Sequence, residues 1–180
     1  MPAAMEPLAV SVRLERATDR DAIRALHELV FEEPDEGEIV DAIRGTADAV
    51  EGGSIVATDR TGAVIGHLLA SRGFIVASDG TRRAVWMLGP FAVRADVQGR
   101  GVGARLMREQ INRATKRGVP LICLLGHASY YPRFGFQSAR SMGIEPPQPW
   151  DDEHWQALRL PAYNSDFQGT ASYAAPFNVG

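Results

Sequence analysis

The sequence predicts a single α/β domain, on three observations. Early segments alternate apolar and polar residues and include a hairpin signature. An amphipathic segment at 102–117 is bracketed by apolar runs at 84–93 and 119–125, the pattern of a βαβ unit. Three alternating glycines, Gly99, Gly101 and Gly103, mark the junction between the first run and the helix.

Taken in order, residues 1–7 read as a loose leader. Residues 8–16 alternate, with Val10, Val12 and Leu14 against Ser11, Arg13 and Glu15, and predict a half-buried strand. Thr18, with Asp21 three residues on, resembles a capping box, and Ile23, Leu26 and Val30 follow at helical spacing. A helix over 19–32 is expected, stopped by Pro34, with a short acidic helix over 36–44 after it. Residues 54–58 and 63–71 form a hairpin about the turn Asp59-Arg60-Thr61-Gly62, and 83–93 adds a third strand. Gly89-Pro90 falls inside that strand, where proline cannot donate to a ladder, so a bulge is expected that leaves backbone groups free. In the helix after the glycines, Val102, Leu106, Met107, Ile111 and Ala114 make the apolar stripe, and Gly118 ends it.

Composition narrows the function classes. The chain has 180 residues, 45% hydrophobic and 23% charged, with a formal net charge of −3, which gives no global attraction to nucleic acid or an anionic membrane. Its single cysteine, Cys123, lies in an apolar run and is expected as a small buried hydrophobe; one cysteine forms no intrachain disulfide, which fits a reducing cytoplasm. No segment reaches the roughly 20 apolar residues that span a bilayer. Neither nucleic acid nor a membrane is expected as a partner.

The glycine run, Gln98-Gly99-Arg100-Gly101-Val102-Gly103, strips side chains from a helix N-terminus, where unpaired N–H groups and the helix dipole bind phosphate. No lysine follows the glycines, against a P-loop. Neither a third spaced glycine nor an acid at the end of the run at 121–125 is present, against a nicotinamide dinucleotide.

The same six residues match the Q/R-x-x-G-x-G/A signature of the GCN5-related N-acetyltransferases (GNAT). Downstream, Tyr130-Tyr131-Pro132-Arg133-Phe134-Gly135-Phe136 resembles that family's Y-x-x-x-G-F element. Leu88-Gly89-Pro90-Phe91-Ala92-Val93 and Leu125-Gly126-His127 further resemble its YhbS-like branch. The resemblance implies a mixed, mostly antiparallel sheet of six to seven strands, flanked by about four helices and splayed at a central parallel pair. It implies an acetyltransferase domain over 8–162 and a C-terminal tail at 163–180 open to adding a strand. It also implies acetyl-CoA as acetyl donor, its pantetheine aligned on the strand segment Phe91, Ala92 and Val93. Gln98, Gly99, Arg100, Gly101, Val102 and Gly103 would clamp the pyrophosphate, and the partner the resemblance implies is a small-molecule or protein amine, to a monomer or homodimer.

Direct acetyl transfer to an amine requires orientation and proton transfer, and demands neither a metal nor a covalent enzyme intermediate. Tyr131 occupies the family position of the general acid that protonates the departing sulfur; the alternative is packing or a structural hydrogen bond. Family members often carry a Glu base on the bulged strand, but Val85-Trp86-Met87-Leu88 has no acid. His127, just past the buried strand, is the candidate to pass the amine's proton to water, with a turn or capping role as the alternative. His27, His67 and His154 are expected as satisfied structural or surface residues. Trp86, Trp150 and Trp155 are expected as core or pocket walls. Glu32, Glu33, Asp35 and Glu36 form an acidic patch that either attracts a cationic acceptor or is a solvated helix end. The rival from another class is a non-catalytic acyl-CoA-binding module.

Overall fold

Three long strands set the architecture of the computed structural model, which describes residues 8–32 and 35–178. The readings of 1–7 as a leader, of Pro34 as a helix stop and of Glu33 in the acidic patch lie outside the described residues. A short strand β1 (Ser11–Leu14) pairs antiparallel with β2 (Ala49–Thr58), and β2 with β3 (Val64–Val76). The hairpin turn is held by Asp59 Oδ1, which accepts from the N–H of Thr61 at 2.9 Å and of Ala63 at 3.1 Å. β4 (Arg82–Val93) continues antiparallel to β3. Helix α1 (Arg20–Val30) matches the predicted first helix, but the expected Thr18 cap does not lead it. Instead Asp19 Oδ2 accepts from the Arg16 N–H at 2.7 Å and pairs with Arg13 at 2.6 Å, because a 3-10 turn at Ala17–Asp19 precedes the helix. Helix α2 (Asp35–Arg44) follows.

Helix α3 (Val102–Lys116) carries the chain to β5 (Leu121–Leu125), which runs parallel to β4. Two-residue strands β6 (Gln137–Ser138) and β7 (Ile144–Glu145) lead to β8 (Trp155–Arg159) and β9 (Gly169–Ser172). β8 pairs with β5 and β6, whereas β9 lies antiparallel to the far end of β3 and parallel to β7. The sheet is therefore mixed and mostly antiparallel, with nine strands among the described residues rather than six or seven. Three α-helices stand among the described residues where about four were expected, the other helical segments being 3-10 turns.

Strand alternation distributes the core to both faces. Ile55, Leu68, Trp86 and Leu88 pack under the α3 stripe of Val102, Leu106, Met107 and Ala114. Val56 and Leu69 face the other way, onto Ile23 of α1 and Val40 and Ile43 of α2.

The bulge falls where the proline predicts it. Leu68 pairs with Phe91 and Ala70 with Leu88, so Gly89 and Pro90 together oppose Leu69. Gly89 has φ +137°, a conformation few other residues adopt. The β4–β5 pairing covers Trp86 with Ile122 and Met87 with Cys123 and goes no further. Past the bulge the two strands part, and the space between them is the functional cleft.

Candidate active site

Backbone builds one end of this cleft. The Arg94 N–H donates to Ile65 O, so Arg94 faces β3, and ladder alternation turns Ala92 the same way. Phe91 and Val93 then present their N–H and C=O groups to the opening. Gln98 Nε2 donates to Val93 O at 2.9 Å, tying the glycine loop to the end of β4. Gly99 and Gly101 take φ +72° and +85°, left-handed values that wind the loop into α3 without a side chain over its N–H groups. α3 starts at Gly101 with no side-chain cap, and its first intrahelical bond runs from Arg105 N to Gly101 O at 3.1 Å. The N–H groups of Val102, Gly103 and Ala104 have no helical acceptor and point out of the helix end. The Val102 side chain itself is buried in the core.

A cavity of about 620 Å³ lies along this segment, lined by Phe91, Val93, Gln98, Gly99, Gly101 and Gly103, with Tyr130 and Arg133 opposite. Arg100 does not line it. The Arg133 guanidinium sits 4.6 Å from the centre of the Tyr130 ring, a cation at the same wall. Tyr130 packs on Phe91, Tyr131 and Phe134, as expected of an aromatic wall.

A second cavity, of about 460 Å³, opens beyond the bulge, and Phe31, Phe91 and His127 line both. Tyr131 stands on the second, beside Leu125, Gly126 and the bulge residues Gly89 and Pro90. Gly126 makes this placement possible: a Cβ there would lie 2.2 Å from Tyr131 Cε2, so another residue would displace the ring. Burial, with Tyr130 adding to it, pushes the Tyr131 phenol up to about 12, leaving it protonated at neutral pH. His127 is exposed at the junction of the cavities, its ring 6.3 Å from that of His154. Tyr131 and His127 thus share one wall.

The other histidines depart in part from expectation. His27 and His67 are fully buried, with His27 Nε2 2.8 Å from His67 Nδ1. From there Ser54 Oγ lies 2.9 Å from His67 Nε2 and bonds Glu15, which pairs with Arg44 at 2.8 Å. His27 Nδ1 has no hydrogen-bond partner among the described residues, and its ring stacks on Phe31, the wall shared by both cavities. Burial holds His27 down at about 4, with the Arg44 charge adding to it, and drives His67 well below its ordinary range. Cys123 is free and buried, which raises its thiol and leaves it inert. Trp86 and Trp155 are core, and Trp150 lines the second cavity.

Sequence reasoning missed Arg133 as a cation of the first cavity and Tyr173 and Phe177 as walls of the second. The Arg133 signal was present inside the tyrosine motif. Tyr173 and Phe177 are aromatic rings in a glycine- and alanine-rich tail, and only the docking of β9 on β3 brings them in. Glu36, taken as one member of an acidic patch, enters the second cavity, whereas Glu32 stays exposed.

A splayed parallel pair with a bare helix N-terminus at one end of its opening and a phenol at the other defines a coenzyme-dependent acyltransferase. Residues 11–139 match the family described as Acetyltransferase (GNAT) domain, and the chain belongs to it. An *Escherichia coli* K12 protein described as the uncharacterized N-acetyltransferase YjhQ is 34% identical over 123 residues, 66% of this chain and 67% of that one. The GNAT family N-acetyltransferase YhbS of *Escherichia coli*, solved in complex with CoA, superposes with a TM-score of 0.86 at 28% identity, over 95% of this chain and 93% of its own. A GNAT family acetyltransferase of *Brucella melitensis*, solved with acetyl-CoA, gives 0.77 at 31% identity, over 94% and 99%. The protein is an N-acetyltransferase.

Proposed function

We propose that the protein transfers acetyl directly from acetyl-CoA to a primary amine, with Tyr131 as general acid and His127 relaying the amine's proton. In this reading the pantetheine arm pairs along Phe91 to Val93, with Ala92 holding that segment to β3. The pyrophosphate rests on the N–H groups of 98–103, with Arg100 and Arg133 supplying charge. The neutral amine attacks the thioester carbon and gives up its proton to His127 and then water. The C–S bond breaks as the Tyr131 hydroxyl protonates the sulfur, and solvent reprotonates the phenolate. One observation carries the reading: Phe31, Phe91 and His127 are walls of both cavities, and Tyr131 lines the second beside them. A thioester laid along β4 would end there.

Residues 8–162 form the catalytic domain in the same proposal, with 163–180 a tail that closes the acceptor side. A cytoplasmic location belongs to it too. It is supported by the one buried cysteine and by the absence, among the described residues, of a helix long and apolar enough to cross a membrane. The test is free-thiol release from acetyl-CoA across a panel of amines, with the product mass measured. The expected result is thiol released only with amine present, one acetylated amine per thiol. Tight acetyl-CoA binding without amine-dependent thiol release contradicts it and leaves the non-catalytic binding module.

A further inference from the structure

The second cavity is aromatic on most sides, with Phe31, Phe91, Tyr131, Trp150, Tyr173 and Phe177 on its walls. The rings support one another: Trp150 packs on Tyr173 at 5.9 Å and Tyr173 on Phe177 at 5.2 Å between centroids. Among the described residues no lysine or arginine lines it, and Glu36, from the first turn of α2, is its single carboxylate. Glu36 Oε2 is buried and has no hydrogen-bond partner among the described residues. A carboxylate oxygen out of water and unpaired is costly, and a cation arriving at that oxygen removes the cost.

We infer that the acceptor is a monocationic amine on an apolar, ring-sized body, its ammonium received by Glu36 and its body by the surrounding rings. The inference rests on the acetyl-transfer reading for what then happens to the amine. The lining excludes the other common acceptors by their charge. An amino acid brings a carboxylate that finds no cation here, and a polyamine or aminoglycoside brings several ammonium groups to one carboxylate. Aromatic faces around the carboxylate add cation–π attraction and cover the apolar body. Glu36 also supplies from α2 the acid that β4 lacks. It concentrates the ammonium, which passes one proton through His127 to water before nitrogen attacks and a second by the same route on attack.

The test is calorimetric binding to the CoA-saturated protein, so that it does not depend on turnover. The probes are 2-phenylethylamine, 2-phenylethanol as the same body without charge, spermidine and phenylalanine. The expected result is that phenylethylamine binds roughly tenfold or more tightly than the other three. Glu36→Gln, close to isosteric, abolishes the preference for amine over alcohol while CoA and alcohol affinities stay in place. A preference for spermidine or phenylalanine, an amine preference that survives Glu36→Gln, or no binding of phenylethylamine overturns the inference. Thiol release separates it from the transfer reading. Glu36-dependent amine binding without thiol release sinks transfer and keeps the site, whereas release with spermidine alone keeps transfer and sinks the site.

Discussion

The cavity proposed for the coenzyme and the one proposed for the acceptor share a wall at Phe31, Phe91 and His127, yet they are assembled in opposite ways. One short stretch, from Phe91 to Ala104, provides most of the coenzyme side, and does so with backbone groups and a helix end. The acceptor side gathers side chains from α1, α2, the bulge, the end of β5 and the tail after β9. Backbone recognition suits a ligand that never changes, since N–H groups survive substitution so long as the loop keeps its turns. Side-chain recognition suits a variable partner, because each wall is replaced independently. The donor is therefore written compactly in the chain and the acceptor is dispersed.

That contrast is sharpest at Tyr131, which lines the second cavity but in the proposed reaction acts on the coenzyme's sulfur. Tyr131→Phe should lower kcat by about two to four decades, ~3–5 kcal/mol, with acetyl-CoA affinity within about twofold by calorimetry. An unchanged kcat removes the acid role. Because burial pushes this phenol up to about 12, the rate should show no downturn from its ionisation below about pH 10.

The shared wall gives the next test. Phe31 stacks on His27, and the His27–His67 pair is neutral in the folded protein. Both groups titrate near 6.5 when unfolded, so the unfolded chain binds more protons as pH falls from about 6.5 toward 4. Folding stability should drop across that window, by up to ~3 kcal/mol from His27 alone. Thermal melts at pH 7 and pH 5 measure it; equal melting temperatures contradict the assignment.

Two smaller effects belong to the coenzyme side alone. Gly101→Val forces a β-branched residue to φ +85°, a strain of about 1–3 kcal/mol, and should weaken acetyl-CoA binding roughly tenfold or more while amine binding persists. Gln98→Ala removes the bond to Val93 O and should cost only about 1 kcal/mol, a severalfold loss measured by the same titration.

The same division decides what the sequence made legible. α3, the glycine loop and the bulge follow from local rules about glycine, proline and helical spacing, and the structure keeps all three. The two-residue strands β6 and β7 are too short to show alternation, which is why the sheet has more strands than predicted. The Thr18 cap was displaced by Asp19 because a partner from β1, Arg13, competes for the carboxylate, a tertiary effect that no local motif contains. Glu36 was visible as an acid, but the cavity it enters is completed by rings as distant as Tyr173 and Phe177. His27 and His67 meet only because α1 crosses β3, and no spacing in the chain announces it.

The most direct test of the account is a crystal structure with CoA and 2-phenylethylamine bound together. The account predicts the pyrophosphate on the N–H groups of 98–103, the pantetheine along Phe91 to Val93, and the sulfur within about 3–3.5 Å of Tyr131 Oη. A coenzyme lying along another edge of the sheet, or a sulfur directed away from Tyr131, would contradict it.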